Sequence, residues 1–303
     1  MTTRRAAWFG AAALAAGLAL SAAVLRAGDA VEGTRPETAR ALYVTSGPLA
    51  RRMLLSFGAV AADVYWIRAI QHYGRDRRSF RQTGRFELLY PLLDVTTSLD
   101  PQFNIAYRYG AVFLAEPPPS GPGRVDQAVA LLQKGLRHDP QRWQYAFDIG
   151  FLYYWYGTGV GRGASDFAVA ADWFERSGAM PGAPVWLRQL AATTRASGGD
   201  VEGARRLLQA LAASGEEWVR RVGARGLDQL AAMDAIVALQ QRVEAHAARE
   251  GAWPASLAEV TGGIPVDPAG VPYDYDAASL RVQLSPSSPL SPLPRTPAAA
   301  SIR

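Results

Sequence analysis

The sequence predicts an all-α fold: a solenoid of stacked helical hairpins after an N-terminal transmembrane helix, with a small β-hairpin near the C-terminus. Three observations carry that expectation. Residues 6–25 run without a charge between Arg5 and Arg26. From residue 86 to residue 249, apolar residues recur at helical spacing between short breaker segments. Period-two alternation is nearly missing until residue 260. Composition agrees, because 49% hydrophobic and 19% charged residues supply ample core material and reverse the balance of a disordered chain.

Residues 1–26 read as a signal anchor. Arg4 and Arg5 precede AAWFGAAALAAGLALSAAVL, and a run of that length spans a hydrocarbon layer of about 30 Å. Arginines in front favour a cytoplasmic N-terminus with the rest of the chain exported. The expectation is a single-pass inner-membrane protein whose body lies in the periplasm. Export after signal-peptide cleavage is the alternative, and Gly28-Asp29-Ala30 offers only a weak cut. Residues 27–48, with Gly33, Pro36 and Gly47-Pro48, read as a linker.

N-terminal helices packing on the repeats are expected over residues 49–100. The first, residues 49–73, carries Leu54, Phe57, Val60, Val64, Trp66, Ile67 and Ile70 at helical spacing. Its wide apolar surface predicts burial on several sides. Arg51, Arg52, Asp63 and Arg68 argue against a second membrane span. Further helices are expected at 85–98, 103–115, 125–137, 142–156, 165–177, 185–197, 200–213 and 216–249.

The chain has a net charge of +5 and a pI near 9.6, and its densest basic cluster is Arg75, Arg77, Arg78, Arg81 and Arg85, interrupted by Asp76. Nucleic-acid binding would require exposed aromatics interleaved with that cluster on a known scaffold. A solvated loop or a face near anionic lipid headgroups suits it better. With no cysteine, disulfides and thiolate zinc sites are excluded. His72, His138 and His246 lie far apart and outside any metal-binding spacing. GTGVGRG at 157–163 leaves an aromatic helix and lacks the lysine of a phosphate loop, so it reads as a connection. No GxSxG elbow or singled-out carboxylate pair appears, so neither catalysis nor a cofactor is expected.

Proline punctuation and small-large-small spacing point to a repeat. Asp100-Pro101 and Asp139-Pro140 stand 39 residues apart. Ala128, Leu132 and Gly135 precede the second; Ala146, Ile149, Gly150 and Tyr153 follow it. Ala170, Phe174 and Ser177 repeat the second-helix set, and Ala192, Ala204, Leu208 and Leu211 continue it. Small residues let paired helices approach while aromatics fill the space between pairs. This pattern resembles the tetratricopeptide repeat over three units, residues 101–214. Enlarged turns at 116–123 and 157–165 depart from a constant period, and any three helical hairpins would imitate part of the pattern. The stretches LLSFGAVAADVYWIRAIQHYG (54–74) and LLDVTTSLDPQFNIAYRYGAVFLA (92–115) resemble membrane-anchored bacterial tetratricopeptide proteins. That resemblance implies an envelope location and a scaffolding role, with no catalytic residues to carry over.

A long helix at 215–250 leads to residues 251–285, where Trp253-Pro254, Leu257, Asp267-Pro268, Gly270 and Pro272-Tyr273 resemble the tail of type II secretion pseudopilins. The resemblance implies a small hairpin around Tyr273, Tyr275, Leu280, Val282 and Leu284. It also raises calcium at Asp267, Asp274 and Asp276; acids among prolines are more often turn residues, and no metal is expected. The Pro/Ser-rich residues 286–303 are expected to be disordered.

The functional expectation is binding. In such arrays the first helix of each pair lines a groove. Helical spacing assigns to it Gln144, Phe147, Phe151 and Tyr154, with Trp186 and Gln189 from the next unit and Ile105 and Arg108 from the preceding one. An aromatic groove suits a protein or peptide partner with apolar anchors, unless helix 54–74 or the C-terminal helix covers it. A non-catalytic envelope adaptor, for instance in a pilus, secretion or surface-export machine, is the leading expectation. A structural subunit of an envelope assembly is the second, and an accessory to glycan enzymes is the last.

Overall fold

A computed structural model of the chain describes residues 57–78, 86–157 and 163–294, together with Gly17, Ala19 and Ala23, which are helical and exposed. The rest of the expected membrane span 6–25, the linker 27–48, Arg81, Arg85 and most of the GTGVGRG loop lie outside the described residues. No helix among the described residues is long and apolar enough to cross a membrane. Those residues form ten helices and one two-stranded sheet, consistent with an all-α class. The chain divides into two compact units, Met1–Ala106 and Tyr107–Arg303.

In the first unit, α1 (Gly58–Arg77) packs on α2 (Leu89–Leu99). Ala62, Tyr65, Ala69 and Tyr73 recur every three or four residues and form the buried face of α1. Tyr73 meets Phe86 at 5.7 Å between ring centroids, and Asp76 Oδ2 accepts the Phe86 N–H at 2.6 Å. On α2 the buried hydroxyls of Thr96 and Thr97 donate back to the Leu92 and Leu93 carbonyls, so their burial leaves no orphan donor. Two expectations need correction. The helix expected at 49–73 is described from Gly58 and continues to Arg77, while the one expected from 85 begins at Leu89 after a turn. Burial of α1 on several sides is also wrong. Phe57 is 70% and Ile67 52% exposed, because α2 and the ring of Phe103, 6.0 Å from Trp66, cover other faces.

The second unit takes up α3 (Asn104–Ala115) from Tyr107 onward, then α4 (Val125–His138), α5 (Trp143–Tyr156), α6 (Ala164–Gly178), α7 (Trp186–Ser197) and α8 (Val201–Ala212). All six lie within one residue of their expected bounds. Each of α4 to α8 packs on the next, which is what serial hairpins produce. The expected small residues sit at those contacts: Ala128, Ala146, Ala170, Ala192 and Ala204 are fully buried. Gly150 shows why size matters, since a Cβ there would stand 2.7 Å from the Phe174 ring. Ser177 Oγ donates to the Trp143 carbonyl at 2.8 Å, tying the end of α6 to the start of α5. Arg195 of α7 ties neighbours together by charge, reaching Asp172 and Glu175 on α6 and Asp200. Asp200 caps α8 by accepting the Gly203 N–H at 2.8 Å.

The 34-residue α9 (Glu217–Glu250) has two successive partners. Val219 and Leu230 join Ala192, Ala196, Ala204, Leu208 and Leu211. Ala232, Leu239 and Val243 then pack with Leu257, Tyr273, Val282 and Leu290. The second group belongs to the C-terminal segment, which contains α10 (Leu257–Thr261), a helix that was not expected. It also contains β1 (Asp274–Asp276), antiparallel to β2 (Arg281–Gln283) with Tyr275 opposite Val282. Gln240 of α9 holds the hairpin from the side, accepting the Val282 N–H and donating to the Leu280 carbonyl.

Expected disorder from residue 286 is corrected as far as Pro294. Gln229 Nε2 donates to the carbonyls of Leu290 and Pro292 at 2.8 and 3.0 Å, and Arg225 reaches that of Pro289. Ser288 and Leu290 are buried. Prolines lack N–H groups, so their segment leaves carbonyls for side chains of α9 to satisfy. Residues 295–303 lie outside the described residues.

Asp267 is the centre of this docked segment and is only 3% exposed. Its Oδ1 accepts the N–H groups of Ala269 and Val271, both at 2.9 Å, while Oδ2 accepts from Ser288 Oγ. Burial opposes its charge, but those hydrogen bonds prevail and hold its pKa below the ordinary carboxylate value. Stability from this group is therefore present above the ordinary pKa and lost as the pH falls through the lowered one. Asp267→Ala should destabilise the C-terminal segment by about 1–2 kcal/mol. Denaturation followed across pH checks it: the gap between wild type and variant should be full at neutral pH and shrink in acid.

Candidate partner-binding site

The sequence of α5, WQYAFDIGFLYYWY, puts rings on nearly every side of one helix. One of them turns inward: Tyr145 is buried against Tyr107, 5.3 Å between centroids. Burial, foremost, pushes its phenol up to about 12, so it stays neutral. The remaining rings form a connected surface. Phe147 lies 5.7 Å from Trp186 of α7, edge to face, and 6.2 Å from Phe151. Phe151 lies 6.2 Å from Trp155, which is 6.0 Å from Tyr154. The result is a ladder, Trp186–Phe147–Phe151–Trp155, with an indole at each end. Those indoles are 46% and 51% exposed, whereas Phe147 and Phe151 are half-buried.

The two phenylalanines are held from below. Phe147 also meets Phe174 of α6 at 5.6 Å, and Tyr154 meets Phe167 and Phe174. Ala170, Phe174 and Ala191 form the floor. Along the α5 axis, Phe147 to Trp155 spans about 12 Å at the helical rise of about 1.5 Å per residue. Offset and edge-on contacts of this kind fix ring orientation beyond what area burial provides.

Of the residues expected to line a groove, Phe147, Phe151 and Trp186 are brought together in the ladder, with Tyr154 beside it. Gln144 and Gln189 are half-buried. Ile105 is exposed and belongs to the first unit. Arg108 is engaged instead with Asp148 of α5, donating from Nε to Oδ2 and from Nη2 to Oδ1, the latter at 3.0 Å. This forked ion pair links α3 to α5. Burial raises the pKa of Asp148 above the ordinary value, against the lowering effect of the guanidinium.

Sequence reasoning missed Trp155, although it stands four residues after Phe151, within the spacing used to choose the others. It also missed Tyr109 and Val112, which share an exposed face of α3. Outside α5, Phe147 and Tyr154 meet rings of α6 and α7.

Asp276 accepts from the Ala278 N–H and from Ser279 Oγ, as a turn residue does. Burial lowers the pKa of half-buried His72, whose Nε2 lies 3.4 Å from Asp76 Oδ2. Among the described residues, no group of three His, Asp or Glu side chains is placed to hold a metal ion. What the ring ladder offers chemically is apolar, oriented contact area with a part-exposed indole at either end. No protein-family model, curated protein or solved structure matches this chain.

Proposed function

We propose that the protein is a non-catalytic scaffold of the bacterial envelope, held to the inner membrane by residues 6–25, whose tetratricopeptide-like body docks a partner protein. The observation that carries this reading is the ladder Trp186–Phe147–Phe151–Trp155, in which two phenylalanines are locked from below and two indoles remain half exposed. Rigid aromatics at low entropic cost are what binding hot spots use. The ladder suits an amphipathic helix or extended segment presenting apolar anchors about 10–12 Å apart, the separation of residues i and i+7 on a helix.

A photo-reactive residue placed at Trp155 or Trp186 in cells should give a discrete adduct, while the same group at Trp218, an exposed indole on α9, should not. Trp155→Ala and Trp186→Ala should each weaken capture of that partner by tenfold or more, since about 1.4 kcal/mol per anchor suffices. Equal adducts from all three positions, or unchanged capture by both variants, would reject the ladder as the docking site.

A second reading, a structural subunit of an envelope assembly, is favoured by the C-terminal half. There a long helix carries a docked loop and hairpin, an arrangement that resembles a pseudopilin tail. Self-association of the purified full chain in detergent, retained in Trp155→Ala, would favour it.

A further inference from the structure

We propose that α1 lies on the surface of an anionic membrane, as a second contact beside the anchor. The outward arc of α1 carries Phe57, Val60, Val64, Ile67 and Ile70, all exposed, over most of four turns. At its C-terminal end stand Arg75, Arg77 and Arg78, also exposed. Asp76, beside them, is half-buried and accepts the Phe86 N–H at 2.6 Å, while Asp63, three turns away, is exposed on the same arc as Ile67 and Ile70. An apolar arc with a concentrated positive end is the composition of a helix resting at the headgroup boundary, where arginines reach the phosphates and the apolar side chains enter the acyl region.

The alternatives fit less well. With Asp63 and Arg68 in mid-helix, α1 does not meet the requirements of a span, and no described helix does. A second copy would need about 800 Å² from each partner for a stable interface, whereas these five side chains expose on the order of 500 Å². An anionic bilayer satisfies the stripe and the charge together, and the uncharged run at residues 6–25 would keep one close: the roughly thirty residues between that run and Phe57 reach at most about 100 Å. The inference rests on the anchor reading, and the test separates the two.

The chain has no cysteine, so single labels can be introduced freely. Spin labels at Val64→Cys and Ile67→Cys would be read in the full chain reconstituted into vesicles containing one-third phosphatidylglycerol, using collisions with oxygen and a water-soluble nickel complex. Both labels are expected to favour oxygen at least twofold over a Trp218→Cys control. The triple variant R75E/R77E/R78E, with unchanged circular dichroism, should return them to aqueous values. Aqueous values already in the parent chain would overturn the inference. So would shielding from both reagents, which would mean that protein, either a second copy or another segment of this chain, covers the stripe. A label at Leu18→Cys reports separately: lipid exposure there with aqueous values at Val64 overturns the α1 contact alone, and aqueous values at both reject the anchor too.

Discussion

Replacing Gly223 with alanine is expected to destabilise the protein by about 3 kcal/mol. Gly223 sits in the first part of α9 and is buried where that helix crosses the end of α8. A Cβ there would stand 2.3 Å from the Ala212 nitrogen and 2.8 Å from both the Ala212 Cα and the Leu208 carbonyl oxygen. All three are backbone atoms, so no side chain can rotate away. Relief requires the two helices to separate, which loosens Leu208, Leu211 and Val219 together. Alanine favours a helix over glycine by about 1 kcal/mol, which does not offset that loss. Gly263→Ala is the control, because nothing lies within 4 Å of its added carbon. Urea denaturation compares them; a Gly223→Ala protein as stable as wild type would show that α8 and α9 do not meet this closely.

Arg108→Ala is expected to cost about 2–3 kcal/mol, and its cost should depend on pH. Removing the guanidinium leaves the Asp148 carboxylate, mostly buried, without its forked partner. Breaking a buried pair costs about 3–5 kcal/mol, and the figure is lowered here because Arg108 is partly in solvent, where its charge is screened. The pKa of Asp148 is already raised by burial, against the pull of Arg108. A carboxyl whose folded pKa exceeds its unfolded value binds more protons when folded. Stability therefore falls as the pH rises through the interval between the two values, then levels off. Without Arg108 the folded pKa rises further and the interval widens. Denaturation midpoints from acid to neutral pH should show the variant losing more stability than wild type as the pH rises. Removing both partners with R108M/D148L should recover most of the loss. A pH-independent deficit would mean that Arg108 matters only for packing.

Much of the helical order was readable from periodicity alone. The helices from α3 to α9 fall within one residue of expectation because each has a continuous apolar stripe bounded by proline, glycine or a capping acid. The small residues Ala146, Gly150, Ala170 and Ser177 were legible as contact positions for the same reason. The hairpin was expected from the likeness of residues 251–285 to a pseudopilin tail, and two short strands form there. The start of α2 was misplaced because Phe86 holds a φ of 59° and delays the helix, which periodicity does not register. The Pro/Ser-rich end was misread because composition cannot see that Gln229 and Arg225, some sixty residues earlier, satisfy its carbonyls.

The candidate site divides in the same way. Spacing along α5 found Phe147, Phe151 and Tyr154, and spacing along α7 found Trp186. Spacing counts residues on one helix, however, and cannot say which helix covers them. Only the approach of α6 and α7 decides that Phe147 and Phe151 lean on Phe174 and Trp186 while Trp155 stays half exposed. The same limit explains α1, whose apolar breadth was taken for burial although its neighbours cover other faces. Local chemistry determined where this chain is helical and which residues seek company. Exposure is a property of neighbours far along the chain, and only the tertiary packing decided which apolar side chains remain exposed.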